Sequence, residues 1–291
     1  MSSADQGKSE VDVVVIVGTG GLGLAAARRI GAGRHVVLAD LPGPSLDHAA
    51  EVLGSTGHQC TVWPTDASDP TAVSSLASEA AARGPIRTIV HTAGISPTQG
   101  EPADILRVNL FGTALVLDAF LPTAQRGTVI VCIASQGGYR IPVSTQTERL
   151  MAVTPTNQLL DLEALDPSRL NGAEAYAVAK RGVHVRVEAE SIRWATRGAR
   201  AVTVSPGFTV TPQSLQELDG PHRGVITGML ERASTRLGTP DDIAAAIEFL
   251  AGPNASLING TDLRIDGGVI ANERWRDPTK LGDYFLQREP V

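Results

Sequence analysis

Tyr176 and Lys180 stand four residues apart in the helix-forming run Ala175-Tyr176-Ala177-Val178-Ala179-Lys180. On a helix that spacing stacks both side chains on one face. A free phenol titrates near pH ~10 and is a poor proton carrier at neutral pH. A fixed ammonium beside it favours the phenolate and lowers that pKa. Tyr176 would then exchange a proton with an alcohol or ketone oxygen. The pair alone equally suits a plain helix with a half-buried tyrosine and a solvated lysine. The elements around it separate the two readings.

Residues 11–17 are almost continuously apolar and β-branched, the pattern of a strand buried on both faces. They run into Gly18-Thr19-Gly20-Gly21-Leu22-Gly23 and then a strong helix former, residues 24–30. Strand, glycine turn and helix open a dinucleotide-binding unit, in which the backbone approaches a pyrophosphate at a helix N-terminus. Residues 35–39 form a second strand that ends in Asp40-Leu41, with Asp40 lying 17 residues beyond Gly23. An acid there suits the adenosine ribose hydroxyls and repels a 2′-phosphate, which favours NAD over NADP. The alternative for Asp40 is a strand-end turn or a helix cap.

The alternation continues. A helix is expected over 44–53 and a strand over 59–63, followed by Asp66-Ala67. Asp66 either contacts adenine or initiates a turn. Asp69-Pro70 reads as an N-cap with proline at the first helical position, and the helix runs to about residue 83. A strand over 86–91 ends at Thr92-Ala93-Gly94-Ile95. An apolar helix over 103–121 contains Asn109, by itself a helix-surface residue. A strand over 128–133 precedes Ala134-Ser135-Gln136-Gly137-Gly138. Ser135 sits at a strand's carboxyl end, where α/β folds bind ligands; its hydroxyl bonds a substrate oxygen or caps a turn. Residues 139–174 carry no strand and read as short helices forming a lid or an edge subdomain, since long internal loops are functional or mobile. The Tyr176 helix runs to about residue 196. A strand over 200–204 leads to Ser205-Pro206-Gly207-Phe208-Thr209-Val210-Thr211, and the polar stretch 213–232 reads as a flap over the site. Arg236-Leu237-Gly238-Thr239-Pro240-Asp241-Asp242 precedes a helix over 243–250, and a seventh strand over 262–265 precedes Asp266-Gly267-Gly268.

The fold expected is α/β: a single doubly wound Rossmann domain over 11–270, with a seven-stranded parallel sheet and helices on both faces. Residues 1–10 read as a disordered lead without a signal-peptide core. The tail, 271–291, holds Trp275, Tyr284 and Phe285 and is expected to dock. The chain has 291 residues, 42% hydrophobic and 19% charged, which suits a globular core. No run approaches the ~20 apolar residues of a bilayer span. A net charge of −6 without a basic cluster argues against a nucleic-acid surface. Cys60 and Cys132 sit in apolar strand runs, where buried thiols are expected rather than a disulfide or metal site; a cytoplasmic location follows.

Seven strands alternating with helices, the glycine turn, Ser135 after the fifth strand and Tyr176/Lys180 on the next helix resemble the short-chain dehydrogenase/reductase family. Pro206-Gly207 with Thr211, Arg236-x-Gly238-x-Pro240 with Asp242, and Asp266-Gly267-Gly268 fall in that family's order. The resemblance covers about 11–270. It implies Tyr176 as acid-base, and Lys180 as the group that lowers the Tyr176 pKa and holds the nicotinamide ribose. It implies Ser135 as the hydroxyl orienting the substrate oxygen, and Asn109 as support for a water in the proton relay. It assigns the cofactor, NAD, to Gly18, Thr19, Gly20, Gly21, Leu22, Gly23, Asp40, Leu41, Asp66, Ala67, Thr92, Ala93, Gly94, Tyr176, Lys180, Pro206, Gly207, Thr209 and Thr211.

There are departures. The glycines are one residue closer than the family's G-x-x-x-G-x-G, and Thr92 replaces its usual Asn. Ser135 and Tyr176 are 41 residues apart, where most relatives have about a dozen. That agrees with an insertion at about 144–171, like that of the branch resembling bacterial 3α-hydroxysteroid dehydrogenase/carbonyl reductase. The resemblance implies a homodimer or homotetramer, with the insertion set to block a helix-bundle contact. The variable segments are rich in Leu, Val, Ile and Pro and carry no Arg cluster, which points to an uncharged, fairly apolar small-molecule substrate. Two rivals are a catalytically silent NAD-binding sensor or scaffold, and sugar epimerisation or dehydration on the same fold. The intact Ser135, Tyr176, Lys180 and Asn109 weigh against the first. Only some 80 residues follow Thr211, which weighs against the second.

Overall fold

The structure, a computed structural model, describes residues 11–211, 214–215, 223–224, 227–228 and 236–275. Seven strands run β1 (Val13–Val17), β2 (His35–Asp40), β3 (Gln59–Pro64), β4 (Ile86–His91), β5 (Val129–Ile133), β6 (Arg200–Pro206) and β7 (Asp262–Ile265). All neighbours pair in parallel, in the order β3-β2-β1-β4-β5-β6-β7. This is the expected Rossmann architecture. Chain order reverses between β1 and β4, so the crevice beyond their carboxyl ends is the switch point where such sheets bind ligands.

Helices cover both faces. They are α1 (Gly21–Ile30), α2 (Pro44–Ser55), α3 (Pro70–Arg83), α4 (Pro102–Leu106), α5 (Gly112–Phe120), α6 (Thr145–Val153), α7 (Gly172–Ala195), α8 (Pro240–Ala251) and α9 (Val269–Trp275). Strand side chains alternate between faces. Val13, Val15, Val17, Ile89, Ile130 and Cys132 pack with α3, α5 and α7. Val14, Ile16, Val36, Leu38 and Val131 pack with α1, α2 and α8. That two-sided cover is why residues 13–17 are apolar without a break.

Several expectations are corrected. The helix expected over 103–121 is α4, a π-helical turn (Arg107–Phe111) and α5. Asn109 lies in the π turn and is buried, not on a helix surface; π turns concentrate at functional positions. Residues Pro102–Thr123 are long and apolar enough for a membrane span, against the expectation that no run approaches one; over half of that stretch is buried, with Leu106, Leu110, Leu117 and Phe120 in the core. The boundary drawn at 270 falls inside α9. Trp275 is exposed rather than docked, while Tyr284, Phe285, most of the flap at 213–232 and the lead 1–10 lie outside the described residues. Both cysteines are free thiols, but Cys60 is only partly buried.

Residues 144–171 form an edge structure, not a lid. Ser144 caps α6 through Thr147 N–H at 3.0 Å, and Asn171 caps α7 through Glu174 N–H at 3.0 Å. Between them α6 lies against α7, while the 3₁₀ turns Thr156–Asp161 and Pro167–Arg169 lie against the π turn and α4. Arg181 Nε donates to Glu148 Oε1 at 2.6 Å, and Arg186 Nη2 donates to Thr156 Oγ1 at 2.9 Å.

Candidate active site

A cavity of about 1650 Å³ opens at the carboxyl ends of the strands. Its floor begins at the glycine turn. Gly18 has φ +95°, and a Cβ there would lie 2.4 Å from Ala93 N. The turn therefore rests directly on the end of β4, where Thr92 Oγ1 donates to Gly18 O at 2.7 Å. A Cβ on Gly23 would lie 1.9 Å from Gly18 O, so that glycine lets α1 start against the strand it follows. Gly20, the N-cap of α1, makes no side-chain cap, and a Cβ there would meet nothing within 4 Å. Uncapped N–H groups beside open space form a cradle that fits a pyrophosphate.

Asp40 closes the adenosine end. Its Oδ2 accepts from Thr19 N at 2.6 Å and Thr19 Oγ1 at 2.9 Å, and Oδ1 accepts from Leu41 N at 2.8 Å. The carboxylate locks the turn to β2 and keeps lone pairs for a ribose diol. Leu41, Pro44, Ser45 and His48 complete this end, with no Lys or Arg among its described residues. Asp66 Oδ1 accepts from Ser68 N and Oγ, both at 2.8 Å. Asp66 thus starts a turn and, with Ala67, also lines the cavity.

At the other end Ser135 heads a 3₁₀ turn, its Oγ accepting from Gly137 N at 3.0 Å. The hydroxyl proton remains available to a substrate oxygen. A Cβ on Gly137 would lie 3.2 Å from Tyr176 Cε1 and 3.4 Å from Ser135 Oγ, so the two side chains flank one glycine. Lys180 Nζ lies 5.7 Å from the Tyr176 ring centre and donates to Ile133 O at 3.0 Å. Burial pulls the Lys180 ammonium down to about 8. A Cβ on Gly94 would lie 2.7 Å from Asn109 Oδ1 and 3.4 Å from Lys180 Nζ. Asn109, Gly94 and Lys180 therefore meet behind the tyrosine.

The remaining wall comes from the end of β6: Pro206, Gly207, Phe208, Thr209 and Thr211. Thr209 bridges to Gly238. The Arg236 motif has a structural reason: Arg236 pairs with Asp242, which exchanges capping bonds with Thr239 at the start of α8. Those bonds hold the Asp242 carboxyl far below the ordinary carboxylate range.

Every residue assigned to the cofactor or the reaction lies on the cavity wall except Gly23 and Asn109, which stand behind it. The segment 139–174 and the tail from 271 were expected to shape the pocket, but sequence reasoning singled out neither Tyr139, Arg140 and Ile141 beyond the serine turn nor Ile270, Asn272, Glu273 and Arg274 of α9. Position after Ser135 was a usable signal for the first group. Nothing local marks the second, which becomes a wall only through pairing with residue 140.

A family model described as short chain dehydrogenase matches residues 12–147, and one described as Enoyl-(Acyl carrier protein) reductase matches residues 166–270. A short-chain dehydrogenase/reductase of Alternaria brassicicola is 33% identical over 261 residues, covering 89% of this chain and 95% of its own. The 3-alpha-hydroxysteroid dehydrogenase/carbonyl reductase of Comamonas testosteroni is 28% identical over 193 residues, covering 63% and 72%. A solved glucose/ribitol dehydrogenase from Brucella melitensis superimposes with TM-score 0.69 at 26% identity, covering 89% and 96%. With its parallel sheet, glycine turn and Ser135/Tyr176/Lys180 cluster, the chain belongs to the short-chain dehydrogenase/reductase family.

Proposed function

We propose that the protein is an NAD(H)-dependent oxidoreductase that interconverts a secondary alcohol and a ketone. The observation that carries this is one cavity with Ser135, Tyr176 and Lys180 at one end and Asp40 at the other. NAD, when bound, supplies hydride acceptance and donation. The turn at residues 18–23, Asp40, Asp66 and Thr211 would hold it.

The chain's residues manage the proton. Ser135 Oγ donates to the substrate oxygen and fixes it beside Tyr176. Tyr176 Oη takes the hydroxyl proton in oxidation and returns it in reduction, worth roughly 10²–10⁴-fold. The Lys180 ammonium favours the phenolate. Asn109 holds the loop at Ile95 that backs Lys180. Asp40 favours a free ribose 2′-hydroxyl over a 2′-phosphate. The walls at Ile95, Val108, Ile141, Pro142, Phe208 and Ile270 support an uncharged, fairly apolar substrate.

Absorbance at 340 nm with NAD⁺ or NADP⁺ and a panel of secondary alcohols tests the reading. Turnover with NAD⁺ is expected, falling at least a hundredfold in Tyr176→Phe with NAD affinity kept. Near-native turnover by that variant sinks the assignment.

A further inference from the structure

Tyr139 and Arg140 directly follow the turn that Ser135 heads. Arg140 Nε donates to Glu273 Oε2 and Arg140 Nη2 to Glu273 Oε1, both at 2.9 Å. The two side chains are 10% and 18% exposed, and both line the cavity. Parallel bonds of this kind fix a guanidinium in orientation as well as position. Its base is also fixed: Tyr139 Oη donates to Asp262 Oδ2 at 2.6 Å, and the Arg274 guanidinium lies 5.8 Å from the Tyr139 ring centre. Arg140 Nη1 has no protein partner among the described residues. A fixed N–H donor is thus left over on a wall that mixes Ile141, Pro142 and Ile270 with Asn272, Glu273 and Arg274.

We infer that Arg140, held by Glu273, selects substrates carrying a second, uncharged oxygen besides the reacting one. This rests on the alcohol–ketone reading of the same cavity. A fixed donor on the cavity wall with no protein partner is free to bond an acceptor on the substrate, and bonds to a charged donor are worth more than neutral ones. Glu273 already neutralises Arg140, so a hydroxyl, carbonyl or ether oxygen suits the site. A carboxylate would face Glu273 and find the Arg140 charge already paired, with Arg274 the other cation on this wall.

The test is equilibrium binding by calorimetry to the Tyr176→Phe protein saturated with NADH, so that chemistry does not enter. The ligands are cyclohexanone, 4-hydroxycyclohexanone and 4-oxocyclohexanecarboxylate. The hydroxyketone is expected to bind at least tenfold tighter than cyclohexanone. Adding Arg140→Met should reduce that preference below twofold, while cyclohexanone and NADH affinities change less than threefold. Glu273→Gln, which leaves the guanidinium in place and unneutralised, should move the preference toward the carboxylate by about tenfold. Equal binding of the neutral pair, no binding by any of the three, tightest binding of the carboxylate to the parent protein, or a preference that survives Arg140→Met would each overturn the inference. Turnover of 1,4-cyclohexanediol by the unmutated enzyme is read separately. A binding preference without turnover would defeat the redox reading alone.

Discussion

Asn109 clamps the main chain of Ile95 at two points. Its Oδ1 accepts the Ile95 N–H and its Nδ2 donates to the Ile95 carbonyl, both at 2.9 Å. The π turn makes this possible by aiming a buried amide at the loop after β4. The same residue's main-chain carbonyl accepts from Thr113 Oγ1 at 2.7 Å. Asn109→Ala would leave two main-chain groups without partners, at a cost of about 1–3 kcal/mol. We expect a lower melting temperature, NAD affinity weakened several-fold because Ala93 and Gly94 precede the clamped residue, and lower turnover. Unchanged NAD affinity would confine Asn109 to the proton path.

The contrast between Asn109 and Lys180 shows what local pattern reveals. Lys180 follows Tyr176 at helical spacing, so one run of sequence places both on a shared face. The strands and the glycine turn are legible for the same reason: period and composition are local. Asn109 reads locally as a surface residue because its partner lies across a loop, and because the π turn that buries it has no composition of its own. The Asp40 carboxylate is legible as a strand end, but its lock on Thr19, 21 residues earlier, is tertiary. Arg140 and Glu273 lie 133 residues apart, and each alone resembles any surface charge.

The glycines of the turn divide by what a methyl group would meet. Gly23→Ala places a carbon 1.9 Å from Gly18 O, a clash the backbone relieves only by shifting. Overpacking of this kind costs about 1–3 kcal/mol or more, so Gly23→Ala should lower the melting temperature by several degrees. Gly20→Ala meets nothing within 4 Å and should melt within about 2 °C of the parent. It fills the cradle instead, and NAD affinity should fall about tenfold or more, equivalent to roughly 1.4 kcal/mol. Calorimetric melts and NAD titrations of both variants separate the folding glycine from the binding one.

Asp40 joins two tasks, and its variants should show both. Asp40→Ser removes the charge that opposes a 2′-phosphate. It also weakens the hold on Thr19 N and Oγ1. The ratio of kcat/KM for NADP⁺ over NAD⁺ should rise at least tenfold, about 1.4 kcal/mol of discrimination, with a small loss of stability. Thr19→Val removes one lock and keeps the carboxylate, so stability should fall with the cofactor ratio nearly unchanged. A ratio that moves equally in both variants would assign the effect to turn geometry instead of charge.

Lys180 stores a conflict between stability and activity. Its ammonium is buried, and burial lowers its pKa to about 8 in the folded protein from 10.5. Below pH ~8 the lysine is charged in both states and the folded state bears the full desolvation penalty. Between pH ~8 and ~10.5 the folded state releases its proton first, so the penalty fades as pH rises. Lys180→Met removes the charge at similar length, at the expense of one bond to Ile133 O. The variant should lack turnover yet be more stable than the parent at pH 7, by about 1–2 kcal/mol. That advantage should shrink toward pH 10. Urea unfolding at pH 7 and pH 10 measures both ends, and an advantage that grows with pH would contradict the burial argument.

Two buried histidines give the fold an acid limit with a known sign. His91 Nε2–H donates to Thr113 Oγ1 at 3.1 Å, the role left to it because that hydroxyl donates onward to Asn109 O. His184 Nε2 bonds Ser205 Oγ at 2.6 Å. Burial, with the Lys180 charge adding to it, lowers His91 to about 3, and burial lowers His184 to about 4. Between pH 6.5 and about 4 the unfolded chain takes up a proton at each position and the folded chain does not. Stability must therefore fall as pH falls through that window, by up to about 1.4 kcal/mol per pH unit per histidine. Carboxylates add their own slope at the acid end, so the discriminating quantity is the difference between His91→Asn and the parent. Asn keeps a donor for Thr113 and does not titrate. The variant should lose about one proton of uptake on unfolding between pH 6.5 and pH 4.5, read from the pH dependence of the urea-unfolding free energy. An unchanged slope would mean that His91 is already protonated in the native protein, with Nε2–H still the donor to Thr113.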